Sequence, residues 1–119
     1  MSGAIDPVEL ARRLIACPSV TPARGEVFDL LERHDAALCV SDHHDAPSPW
    51  KATASWVYVR GHGPGGRYHG RYGDAALKDW ARRLRAWREQ GRDVYAYFDN
   101  DIKAAAPADA QQLKALLGR

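Results

Sequence analysis

Three short runs of apolar and β-branched residues limit what this chain can form: ALCVS at 37–41, SWVYVR at 55–60 and DVYAYF at 93–98. Each is short, and each is bounded by Pro, Gly or Asp, so each reads as a strand. Between the second and third lies the clearest helical pattern. Leu77, Trp80, Ala81, Leu84 and Trp87 recur at helical spacing, with Lys78, Arg82, Arg85 and Arg88 on the other face. Asp74 stands where a cap is expected and Gly91 where a helix stops. Trp80 and Trp87 are expected in the core. A last helix is expected over 108–117, with Ala110, Leu113, Leu116 and Leu117 inward. From residue 37 the order is strand, loop, strand, helix, strand, helix. Strands alternating with helices imply a parallel sheet with right-handed crossovers. The fold class is therefore α/β with about three parallel strands.

Two helices precede this unit. Asp6, Pro7 and Glu9 form a helix start over 6–16, with Val8, Ala11, Leu14 and Ile15 on one face and Pro18 and Pro22 ending it. A second helix is expected over 25–34, with Val27, Leu30 and Leu31 apolar. Apolar residues make up 45% of the chain and charged residues 27%, which excludes a disordered chain. A net charge of +2 argues only weakly for nucleic acid, which is not expected as a partner. No apolar run is long enough to span a membrane. The N-terminus has acids and arginines where a signal peptide needs an apolar core, so a cytoplasmic location is expected. Cys39, inside a strand, is expected to be a small buried hydrophobe, and a disulfide with Cys17 is not expected in a reducing compartment.

Chemistry in open parallel folds sits beyond the carboxyl ends of the strands. Those ends carry Asp42, His43, Arg60, His62, Asp99 and Asn100, which places them on one rim. Such a set offers an anion clamp in Arg60 and acid–base groups in His62 and Asp99, with Asn100 to orient a ligand. The glycine-rich loop that follows, GHGPGGRYHGRYG at 61–73, contains Gly61-x-Gly63-x-x-Gly66. These letters match a dinucleotide fingerprint, but Pro64 lies inside the motif and the helix starts too late to meet a pyrophosphate. A looser role is expected, in which backbone amides with Arg67 and Arg71 cradle a phosphate. Tyr68 and Tyr72 beside Arg67 and Arg71 also form the pattern of a stacking platform. His43, His44 and Asp45 offer metal-type ligands, yet a zinc site needs three or four converging groups, so no metal is expected.

Residues 36–117 closely resemble the C-terminal part of the domain-of-unknown-function-72 family. The stretches that carry this are AALCVSDHHDAPSPW, ATASWVYVRGHGPGGRYHGRY, LKDWARRLRAW and DVYAYFDNDIKAAAPADAQQLKALL. "YVRxHG", a Tyr-rich loop, a Trp-bearing helix and "YFDND" follow in that order. The resemblance implies a TIM-like barrel with no established reaction, of which this chain supplies the last strands and helices. The family-like polar positions are Asp42, His43, Trp50, Arg60, His62, Gly63, Tyr68, Tyr72, Asp99 and Asn100. Gly61 departs from the pattern, which favours a bulky apolar residue there, and so do Ala104 and Ala105, where glycine is common. Residues 5–32, IDPVELARRLIACPSVTPARGEVFDLLE, instead resemble the N-terminus of the succinyl-diaminopimelate desuccinylases, which are two-zinc amidohydrolases. That enzyme's ligands lie further along its chain, and no zinc or activity carries over.

The expected organisation is thus a helical segment at 1–35 and a partial barrel at 36–119, as a gene fusion or a truncation would produce. A complete barrel of eight units takes about 200 residues or more, against 119 here. Three functions follow as expectations. The first is a rim site for a small anionic, phosphate-like ligand, without robust catalysis and with no cofactor. His62 and Asp99 would act as acid and base, with Asp42, His43, Arg60, Gly63, Arg67, Tyr68, Tyr72 and Asn100 around the ligand. The second is a zinc-dependent amidohydrolase. The third is a non-catalytic module that self-associates through its open sheet edges.

Overall fold

The computed structural model describes residues 6–16 and 25–118. Cys17, Pro18 and Pro22, named above, lie outside these residues. Helix α1 spans Pro7–Ala16, α2 Glu26–Arg33, α3 Asp74–Glu89 and α4 Ala105–Leu116. Strands β1 (Cys39–Ser41), β2 (Trp56–Gly61) and β3 (Asp93–Phe98) form one parallel sheet in the order β1-β2-β3. Val40 pairs with Val59, and Val59 with Ala96. The α/β class, the three parallel strands and the two preceding helices match the sequence reading.

Alternation along the strands divides the sheet into two faces. Val40, Val57 and Val59 point to one face and join Leu77, Trp80, Ala81, Leu84 and Trp87 of α3 and Leu113 of α4 in the core. Leu77 and Leu84 are fully buried, so the helical periodicity of α3 is the core-forming signal it promised to be. Among the described residues, no helix packs on the other face. Trp56 and Tyr95 stand there with ring centroids 6.2 Å apart, and Tyr58 and Tyr97 at 5.7 Å.

Three local expectations change. Cys39 is exposed rather than buried, because its place in β1 sends it to the open face while Val40 takes the core. Asp74 is not a side-chain cap; α3 starts from Gly73, and Asp74 pairs instead with Lys78 at 3.1 Å and accepts from Gln112 at 2.6 Å. The last helix begins at Ala105, after a 3-10 turn at Ile102–Ala104, earlier than its periodicity suggested, and Ala110 is exposed. Helix α1 does start on Asp6, whose Oδ1 accepts from Val8 N at 3.1 Å, yet Val8 and Ile15 remain exposed.

Gly61 is explained by packing. A Cβ there would run into the rings of Phe98 and Trp80, which stack at 5.1 Å against the end of β2. The bulky residue that the family pattern favours would have to displace them. Ala104 carries the opposite problem. It sits at φ 58°, ψ 33°, in the left-handed region that costs a residue with a Cβ about 1–2 kcal/mol. Ala104→Gly is expected to stabilise the protein by about 0.5–1 kcal/mol, after the extra unfolded-state freedom of glycine is deducted. The shift in urea midpoint at constant slope measures it; an unchanged or lower midpoint shows that Ala104 is not strained.

Candidate functional site

The carboxyl ends of the three strands meet at one rim. Asp42 follows β1, His62 follows β2 and Asp99 follows β3. Asp99 N donates to Gly61 O at 3.0 Å, which continues the β2–β3 ladder one step past the strand. His62 and Asp99 therefore leave the sheet side by side. His62 Nδ1 lies 2.7 Å from Asp99 Oδ1, and Arg60 donates to Asp99 Oδ2 at 2.6 Å. One carboxylate thus binds an imidazole and a guanidinium. Arg60 also donates to Tyr58 OH at 3.3 Å. The hydrogen bonds to Tyr58 and to Asp99 raise the pKa of the guanidinium above its ordinary value. Arg60 Nε is buried and has no partner among the described residues.

Two rings enclose His62 from the other side. Tyr68 lies 4.9 Å away and His43 5.5 Å, both edge-on. Tyr68 is held at φ 69°, an unusual conformation for a tyrosine, with its N–H donating to His62 O at 2.5 Å. Strain of this kind concentrates at functional sites. Gly63 permits the turn: it adopts φ 100° with its Cα against the His69 carbonyl, where a side chain would collide.

The other expected ligand contacts have structural duties. Asp42 accepts from His62 N at 2.7 Å through Oδ1 and from the Tyr72 hydroxyl through Oδ2. The Tyr72 hydroxyl in turn accepts from Gly63 N at 2.9 Å, and its ring packs on Trp80 and Phe98. Tyr72 is buried, so it forms no stacking platform with Tyr68. Asn100 is fully buried and donates to Gly70 O at 2.6 Å and to Asp109 at 2.8 Å, so it lies beneath the rim rather than on it. Asp109 also accepts from Tyr72 N at 3.1 Å and from Arg71 at 2.7 Å. The amides of His62, Gly63, Gly66 and Tyr68 are all bonded within the protein, and Arg71 is turned to Asp109. The phosphate cradle expected of this loop is therefore not formed by these groups; both of its arginines are exposed, and among the described residues Arg67 makes no hydrogen bond or ion pair. Asp109 lies inside the expected last helix, but the inward face was read from its apolar residues, and a carboxylate gives no sign of burial in the pattern.

His43, His44 and Asp45 bring one ligand atom each within 4.8 Å of one another. They also contact one another: His44 Nε2 lies 2.9 Å from Asp45 Oδ1, and His43 Nδ1 accepts from Asp45 N at 3.2 Å. No helix among the described residues is long and apolar enough to cross a membrane.

Comparison with known proteins now decides the family. The family model described as "Protein of unknown function DUF72" matches residues 20–119. The chain belongs to the DUF72 family. A DUF72 family protein from Thermotoga maritima superposes with a TM-score of 0.73 at 24% identity, over 81% of this chain and 42% of that one. A second from Enterococcus faecalis superposes with a TM-score of 0.71 at 16% identity, over 79% of this chain and 41% of that one. The chain thus spans less than half the length of these DUF72 structures, and the likeness establishes the shared fold. A short stretch is also similar to succinyl-diaminopimelate desuccinylase: 69% identity over 32 residues for the Sphingopyxis alaskensis enzyme, 27% of this chain and 8% of that one. The Novosphingobium aromaticivorans enzyme gives 68% over 28 residues, 24% of this chain and 8% of that one.

Within this DUF72 chain, Tyr72 offers a direct test of the rim's support. Burial, and then the hydrogen bond to the Asp42 carboxylate, push its phenol well above the ordinary tyrosine value of about 10. The fold favours the protonated phenol, so the stabilisation is complete below the unfolded value and is lost as pH rises above it. Tyr72→Phe is expected to cost about 1–2 kcal/mol at neutral pH, because Asp42 and Gly63 N lose a partner. The variant also loses part of the alkaline decline above pH of about 10. Urea melts across pH measure both; parallel curves for the two proteins would show that the hydroxyl contributes nothing.

Proposed function

We propose that the rim is an acid–base site for a small anionic ligand, with His62 as the proton carrier. The observation that carries this is the 2.7 Å contact between His62 Nδ1 and Asp99 Oδ1. With Nδ1–H donating to Asp99, the neutral ring keeps its lone pair on Nε2, where it can take a proton from a ligand. Asp99 fixes the ring and stabilises the imidazolium that results. Arg60 holds the other Asp99 oxygen at 2.6 Å. Arg60 is a partly exposed cation and Arg67 an exposed one, and these supply the attraction for an anion.

Asp42, Tyr72 and Gly63 support the ring's backbone and do not face the ligand in this reading. The remaining length of the DUF72 relatives would supply other walls of the pocket. The chain itself therefore binds weakly and is not expected to turn over substrate fast.

NMR titration with inorganic phosphate tests the proposal. The side-chain signals of His62 and Arg60 are expected to shift together and to saturate. Asp99→Asn removes a carboxylate that competes with the anion for Arg60, so the Arg60 response is expected to be retained or to strengthen. Identical titrations of wild type and Arg60→Ala would overturn the anion site. An unshifted His62 ring would overturn its role in proton transfer.

A further inference from the structure

Three metal-type ligands on the turn after β1 take no part in the proton transfer proposed above. His43, His44 and Asp45 are consecutive, and consecutive side chains on an extended segment point to opposite faces. The chain turns at residues 44–45, and the alternation is broken. Two imidazoles and a carboxylate are thereby brought together, with one ligand atom of each within 4.8 Å of the others.

We propose that His43, His44 and Asp45 bind one divalent transition-metal ion of the zinc class. Two donors bound to one zinc ion at about 2.0–2.2 Å stand roughly 3–4 Å apart. His44 Nε2 and Asp45 Oδ1 already stand at 2.9 Å. The widest separation in the set closes by about 1 Å of side-chain movement. The Asp45 side chain is 73% exposed and free to make it. The hydrogen bond from Asp45 N to His43 Nδ1 is long, at 3.2 Å, and lies at the surface, so yielding it to an ion costs little. The donor set selects the class of ion. Imidazole suits zinc, copper, iron and nickel, whereas calcium and magnesium take oxygen ligands. Two imidazoles and one carboxylate make a three-ligand set with a further position left for water.

The backbone of the turn is fixed without the ion. His44 N donates to Gly66 O, Ala46 N to His43 O and His43 N to Ser41 Oγ, each at 3.2 Å. Gly66 lies against Asp42 O and His44 N, where a side chain would collide, so the glycine-rich loop clamps the turn from above. The His43 ring is packed edge-on against Tyr68, with centroids 5.6 Å apart, and is held before an ion arrives. A site prepared in this way loses less freedom on binding. Three ligands from one turn approach the ion from one side and leave the opposite side open, so the affinity is below that of a closed four-ligand site. This inference is independent of the rim reading, because it needs neither the Arg60–Asp99 pair nor proton transfer by His62.

Calorimetric titration of the full chain, freed of metal by a chelator, with zinc chloride tests it. One saturating ion per chain is expected, and the thermal midpoint is expected to rise with zinc concentration. His44→Ala and Asp45→Asn each remove one donor from an exposed residue. Each is expected to weaken binding about tenfold or more, with the circular dichroism unchanged. No saturable binding up to about 100 µM zinc overturns the proposal. So does zinc binding that survives His44→Ala combined with Asp45→Asn, because the ion then sits elsewhere on the chain.

Discussion

The loop that makes the rim depends on a buried phenol. Tyr72 ends the glycine-rich segment with its ring on Trp80 and Phe98, and its hydroxyl between Asp42 and Gly63 N. That one side chain ties the end of β1, the turn after β2 and the core under α3 together. Hydrogen bonds to a carboxylate are roughly twice as strong as neutral ones, and out of water they are stronger still. Asp109 does the same on the other side of the loop, binding Tyr72 N, Arg71 and Asn100 from a fully buried position. Between these two carboxylates a loop rich in glycine acquires one conformation. His62 is then presented to Asp99 at a fixed distance rather than swept through many.

This explains which parts of the site were legible. Strand ends announce themselves by composition, so the rim positions of Asp42, His62 and Asp99 followed from the pattern of short apolar runs. Periodicity gave α3 its buried face, and Leu77, Trp80, Ala81, Leu84 and Trp87 all occupy it. What the pattern lacked was the return of the loop over the core. Tyr72 and Asn100 look like surface groups when read along the chain. Both become interior only because Asp42 and Asp109 reach them from thirty or so residues away or across a helix turn. Cys39 failed for a simpler reason. A three-residue strand gives no alternation from which to tell its two faces apart.

The glycine motif shows the same separation between letters and physics. Gly61-x-Gly63-x-x-Gly66 has the spacing of a phosphate loop, yet each glycine answers a local need. Gly61 makes way for two rings, and Gly63 passes the His69 carbonyl. The amides that would face a pyrophosphate bond instead to Asp42, Tyr72 and neighbouring carbonyls. A phosphate loop works because its N–H groups are left unbonded at a helix start. Here α3 begins at Asp74, beyond the loop, and the donors are already spent.

The two faces of the sheet are not equivalent in chemistry either. Val40, Val57 and Val59 face the helices, whereas Trp56, Tyr58, Arg60, Tyr95 and Tyr97 face away from them. A sheet face meant for water usually alternates to small or charged residues, and one meant for a dry core excludes arginine. This face does neither: it carries large rings that bear a polar atom, beside an arginine. The rim inherits a consequence. Arg60 belongs to both the open face and the Asp99–His62 contact, so whatever covers the aromatic rings also changes the solvation of that guanidinium. Removing water from around Arg60 strengthens its hold on Asp99. The solvation of the sheet face and the Asp99 contact at the rim are therefore linked through a single side chain.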